Sequence, residues 1–205
     1  MGAPTVGVLA LQGDVAEHVH ALQRAGAHVL EVRTPADLAQ VDALVVPGGE
    51  STTVIRLLER FGLTGPIKAR VRAGMPFWGT CMGMIVAAHD VAGLRQETLD
   101  LLDVTVRRNA FGRQVDSADV DLMITALGDE PFPTIFIRAP WIERTGPGVQ
   151  TLAERDGHGV MVRQNNVLGT SFHPELTGDD RIHAYFLQMV REGAAASLRE
   201  AAASR

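Results

Sequence analysis

Cysteine is nearly absent, with Cys81 the only one in 205 residues. An intramolecular disulfide is excluded, and a reducing cytoplasm is the expected setting. No cluster of Lys or Arg occurs, and the formal charge is -5. Nucleic acid and anionic membranes are therefore not expected as partners. Long apolar runs are missing too: Val6 to Leu11 is too short for a membrane span or a signal core, and it lacks a basic leader. No internal repeat or linker divides the chain. What is present, 46% hydrophobic and 21% charged residues, is the composition of one folded domain with a substantial core. That domain is expected over residues 1–192, followed by an Ala- and Ser-rich tail, 193–205, that frays.

Taken in order, the first half alternates short apolar runs with amphipathic segments. Thr5 to Leu11 reads as a strand, and Val15, Val19, Leu22 and Ala25 recur at helical spacing, with Asp14 as a cap and Gly26 as a stop. His28 to Val32 and Ala43 to Val46 supply further strands, Val54 to Phe61 and the region around Ile67 to Val71 further helices. This alternation predicts a parallel sheet covered on both faces. In the second half the pattern changes: Leu101 to Arg108, Asp119 to Ala126, Thr134 to Arg138, Thr151 to Glu154, Gly159 to Arg163 and Val167 to Phe172 read as strands without long helices between them. That predicts mixed or antiparallel sheet, closed by a helix from about Asp180 to Arg191. Phe61, Phe186 and the helically spaced methionines are expected in the core.

Three stretches could carry chemistry. Phe77-Trp78-Gly79-Thr80-Cys81-Met82-Gly83 runs from a strand pattern into a helical one, so Cys81 falls at a strand-to-helix turn between glycines, as in a nucleophile elbow. A helix N-terminus there would favour thiolate, whereas a small buried thiol is the equally weighted alternative. Ser171-Phe172-His173-Pro174-Glu175 ends the last strand; on an extended chain His173 and Glu175 share a face, where a carboxylate can orient an imidazole that serves a thiol. Pro47-Gly48-Gly49-Glu50-Ser51 joins a strand to a helix, either as an oxyanion-hole loop that adds a Gly49 N–H to that of Met82 or as a plain helix entry capped by Ser51. A phosphate loop is excluded by the lack of Lys-Ser/Thr after the glycines. Arg108 and Arg138, at strand ends, could grip an amino-acid carboxylate, although plain exposed strand-edge arginines are the commoner case. Glu17, His18 and His20 could suggest a metal site, but residues two apart do not face each other on a helix, so no metal site is expected, and these three and His89 are assigned ordinary surface or packing roles.

In this order the three stretches resemble the class I glutamine amidotransferases. Ile85, four residues past the thiol, together with Val8 to Gly13, Arg108 to Ser117 and Phe136 to Pro140, is similar to the glutaminase subunits of pyridoxal 5'-phosphate synthase. The runner-up, the glutaminase subunit of imidazole glycerol phosphate synthase, usually has Gln at the position of Ile85. A non-catalytic binding subunit is the third reading. The resemblance implies a flavodoxin-like three-layer α/β fold, a mixed central sheet with helices on both faces. It further implies a catalytic triad of Cys81, His173 and Glu175, an oxyanion hole from Gly49 and Met82, and L-glutamine contacts from Gly49, Glu50, Ser51, Arg108, Ile137 and Arg138. No cofactor and no metal are implied. The implied partner is a (β/α)8-barrel synthase subunit in a hetero-oligomer. Two positions depart from the pattern: Met82 stands where Ala is usual, and Trp141 where His is often found.

Overall fold

A computed structural model describes residues 2–108 and 117–203. Its centre is a run of parallel strands, ordered β2 (His28–Val32), β1 (Thr5–Leu9), β3 (Ala43–Val46), β4 (Phe77–Thr80) and β12 (Val167–Thr170). The sheet continues through β11 (His158–Gln164), β9 (Trp141–Thr145), β6 (Leu102–Arg107) and β5 (Ala88–Val91), with antiparallel pairing from β12 to β6. A further strand, β10 (Gln150–Arg155), pairs with β11, and β7 (Ser117–Leu122) with β8 (Phe132–Ile137) forms a separate antiparallel hairpin. This is the expected mixed sheet, parallel in its first half.

Alternating burial produces the three layers. In β3, Leu44 and Val46 enter one apolar cluster with Val54 and Leu58 of α3 (Ser51–Arg60) and Ile67 of α4 (Thr64–Arg72). Ala43 and Val45 face the other way, into a cluster with Leu22 of α1 (Val15–Arg24) and Phe186 of α6 (Arg181–Ala203). Successive strand residues point to opposite faces, so a strand of four buried residues must be covered twice. Two shorter helices complete the set: α2 (Pro35–Leu38), held by a capping box between Thr34 and Asp37, and α5 (Met82–Ala87), which follows β4 directly.

Several elements differ from the sequence pattern. The expected strand Asp119 to Ala126 stops at Leu122 and gives way to a 3-10 turn, Thr125–Leu127. β5 and β9 were not expected: β5 begins at the residue after α5, and β9 carries the charged Glu143 and Arg144, so neither has a clean apolar run. The last helix passes Gly193 and continues to Ala203, because the Ala-rich segment has high helix propensity. Phe61 is 45% exposed rather than in the core, since it follows the final turn of α3 and points outward beside Gly62. The stretch Asn109 to Asp116 lies outside the described residues.

Candidate active site

The site sits at the C-terminal ends of the parallel strands, where neighbouring loops diverge and leave a crevice. Beyond β4, Cys81 adopts φ 49 and ψ -106, a left-handed conformation that costs a residue with a Cβ and that a strand-to-helix elbow imposes. The elbow closes only because Gly79 and Gly83 lack side chains. A Cβ on Gly79 would collide with the backbone carbonyl of Gly83, and one on Gly83 with the carbonyl of Val46. The Cys81 N–H donates to Thr170 O at 2.7 Å, so β12 clamps the elbow from the side.

The same strand leads into His173. Its Nδ1 lies 2.7 Å from Oε1 of Glu175, and the ring borders the same cleft as Cys81. The contact between His173 and Glu175 is reached through a 3-10 turn, Pro174–Leu176, rather than the extended chain the sequence suggests. Burial opposes charge on His173, but Cys81 and Glu175 outweigh it and raise its pKa to about 10. Burial pushes the Glu175 carboxyl up from its ordinary range, and the hydrogen bond to His173 works against that rise.

A cleft of about 340 Å³ opens over the sulfur, bordered by Gly49, Glu50, Met82, Ile85, Ile137 and Arg138. Gly49 has φ 149, a conformation that favours glycine, and the end of the Met82 side chain lies beside it. The Ile137 carbonyl is 3.9 Å from Cys81 Sγ, and Arg138, at φ 44, carries its exposed side chain to the cleft. Across the cleft, Arg108 Nη2 donates to Glu50 Oε1 at 2.8 Å and Nη1 to Gln96 Oε1 at 3.3 Å. Partial burial works against the Glu50 charge, yet Arg108 and Thr52 hold its carboxyl below the ordinary range. Ser51 does not line the cleft. It is fully buried, its hydroxyl donates to Gln96 Oε1, and the cap of α3 is Glu50 instead.

Three residues near the site have no functional role assigned by the sequence. Asp14 makes no capping hydrogen bond to α1; its carboxylate lies 3.5 Å from His173 Nδ1. His18, expected in an ordinary role, is fully buried with Nε2 3.3 Å from Glu175 Oε2, and His183 lies behind it. Gln12 accepts from the Glu50 N–H at 3.3 Å. Asp14, His173 and Glu175 offer ligand atoms within 4.8 Å of one another, enough to hold a metal ion among the described residues. An ion bound there would compete for the Nδ1 that Glu175 already holds.

Residues 8–192 match the SNO glutamine amidotransferase family. The chain belongs to that family. Among its relatives, the pyridoxal 5'-phosphate synthase subunit PdxT of Acidothermus cellulolyticus is 56% identical over 194 residues, covering 91% of this chain and 94% of its own. The subunit of the same name from Streptomyces avermitilis is 54% identical over 193 residues, covering 93% and 96%. A crystal structure described as a glutamine amidotransferase has a TM-score of 0.86 at 48% identity, covering 90% of this chain and 98% of its own.

Proposed function

We propose that the chain hydrolyses L-glutamine to L-glutamate and ammonia as the glutaminase subunit of a pyridoxal 5'-phosphate synthase. The observation that carries the reading is the elbow thiol facing the same cleft as an imidazole that a buried carboxylate holds. The high identity to synthase subunits named PdxT favours this synthase over the imidazole glycerol phosphate enzyme. Cys81, His173 and Glu175 act as the triad. The Cys81 thiolate adds to the side-chain amide carbon of glutamine, and the N–H groups of Gly49 and Met82 hold the oxyanion. His173 gives its proton to the departing nitrogen, ammonia leaves, and a glutamyl thioester remains. Water, deprotonated by His173, then cleaves the thioester to glutamate and restores the thiolate. Glu175 keeps the imidazole oriented throughout.

Glutamine is held at its other end. Glu50 faces the substrate ammonium and Arg108 the carboxylate, with Gly49, Ile137 and Arg138 around them and Ser51 supporting the loop from beneath. The partner is a (β/α)8-barrel synthase in a hetero-oligomer, whose docking turns the Gly48-Gly49 peptide into its donating orientation. Two features support movement there: φ 149 at Gly49, and the closeness of Gly48 to the ring, where a Cβ would meet His173 Cε1 at 2.6 Å. Residues 1–192 form the glutaminase domain, and the lone thiol suits a reducing cytoplasm.

The test is glutamate release by the chain alone, with the synthase, and with Cys81→Ala. We expect slow release alone, strong stimulation by the partner, and a loss of roughly a thousandfold or more in the variant. Retained activity in Cys81→Ala overturns the mechanism. Full activity without the synthase overturns the role of docking.

A further inference from the structure

Behind Glu175 runs a buried polar chain that the hydrolytic steps do not use. One Glu175 oxygen holds His173; the other, Oε2, is buried and has His18 Nε2 as its neighbour at 3.3 Å, off the alignment of an ideal hydrogen bond. His18 Nε2 also lies 3.1 Å from Thr80 Oγ1, and His18 Nδ1 lies 3.3 Å from His183 Nε2. Both histidines are fully buried, and Trp78 packs edge-on against each ring, which fixes their orientation.

The partners decide the tautomers. One proton must lie between His18 Nδ1 and His183 Nε2. If His18 supplies it, the lone pair of His18 Nε2 faces the Glu175 carboxylate, and His183 keeps a proton on Nδ1, which is buried without an acceptor. If His183 supplies it, the N–H of His18 Nε2 faces Thr80 Oγ1 and Glu175 Oε2, and among these groups every atom left unpaired is an acceptor. A buried orphan acceptor is more readily tolerated than a buried orphan N–H, and a proton toward a carboxylate is favoured over a lone pair. The second arrangement wins on both counts.

We propose that His18 is a positioning residue for glutamine hydrolysis, a neutral donor whose Nε2–H steadies Glu175 as an anion aligned on His173. The inference rests on the Cys81, His173 and Glu175 reading above. Burial, reinforced by His183 and His173, holds His18 well below the ordinary imidazole range, so it stays neutral. Burial likewise brings His183 down to about 4, with Asp180 opposing the shift and Arg24 adding to it. The charged groups facing Glu175 are His173 and, from the start of α1, Asp14. Without the His18 donor, burial drives Glu175 toward its protonated form. Its hold on the imidazolium then weakens, and His173 loses its proton at lower pH.

Two measurements on the full chain test this. Imidazole 15N NMR of the unaltered protein is expected to show His18 neutral with its proton on Nε2; a proton on Nδ1 overturns the proposal without any substitution. In His18→Leu, steady-state kinetics with the synthase should give a kcat lower by roughly tenfold with KM within about twofold, and iodoacetamide modification of Cys81 should begin about one pH unit higher. His18→Gln, which returns an N–H near the lost Nε2, should recover most of both. A folded His18→Leu with an unmoved pH profile, or a His18→Gln as impaired as His18→Leu, overturns the proposal. Full activity in Glu175→Gln or Cys81→Ala would instead sink the triad on which it rests.

Discussion

In the proposed reading Glu50 and Arg108 serve binding rather than chemistry: they touch one another across the cleft, and neither is hydrogen-bonded to the sulfur. Their ion pair is partly solvated, with side-chain exposures of 46% and 24%, so its loss should change stability by less than about 1 kcal/mol. Steady-state kinetics of Arg108→Gln should show KM raised roughly tenfold with kcat little changed. The sign for His173 follows from its shift. Its folded pKa of about 10 stands above the ordinary 6.5, so its contribution is full below 6.5 and is lost as pH rises through about 10. Urea unfolding across that window should show the advantage of the protein over His173→Gln shrinking as pH rises. Cys81, His173 and Glu175 stand out in the sequence because each lies in a short local pattern with a chemical meaning, and the structure brings His173 against Glu175 and beside the cleft that Cys81 lines. Asp14 and His18 could not: they sit in an ordinary amphipathic helix start, and what they do depends on strands far along the chain.

At the scale of elements, the β4–α5 elbow is the least tolerant part of the fold. A methyl group on Gly83 has backbone, not a flexible side chain, in its way. Gly83→Ala should therefore cost about 3 kcal/mol in chemical denaturation and remove activity, whereas Gly26→Ala, with nothing within 4 Å, should be felt only through its φ of 94. The central strands were legible because four buried residues in a row leave few other readings. β5 and β9 were hidden because pairing, not composition, makes them strands: Val91 lies beside Val106, and Trp141 beside Arg107. The C-terminal part of α6 was hidden because an Ala- and Ser-rich tail is expected to fray, yet the backbone stays helical through Gly193 and the alanines beyond it continue the helix to Ala203.

For the whole molecule, no described residue of α6 beyond Glu192 is buried. Among the described residues, Ile182, Phe186, Leu187, Met189 and Val190 make its buried apolar contribution, all upstream of Glu192. Truncation after Glu192 should therefore shift Tm by only about 2 °C or less, measured by calorimetry, and leave glutaminase activity unaltered. A larger loss would place part of the folding unit beyond Glu192.

The position of β12 has one more consequence. It inserts beside β4 with Gly169 opposite Gly79 and Thr170 opposite Thr80, although the intervening chain builds most of the second half of the protein. Pairing of such distant segments is slow, since loop closure precedes any reward. The thiol is made early on the ribosome and its imidazole late, so the proposed pair of Cys81 and His173 is assembled only when the last strand has found its place. If that pair is the catalytic one, glutaminase activity during refolding should return with the slowest phase.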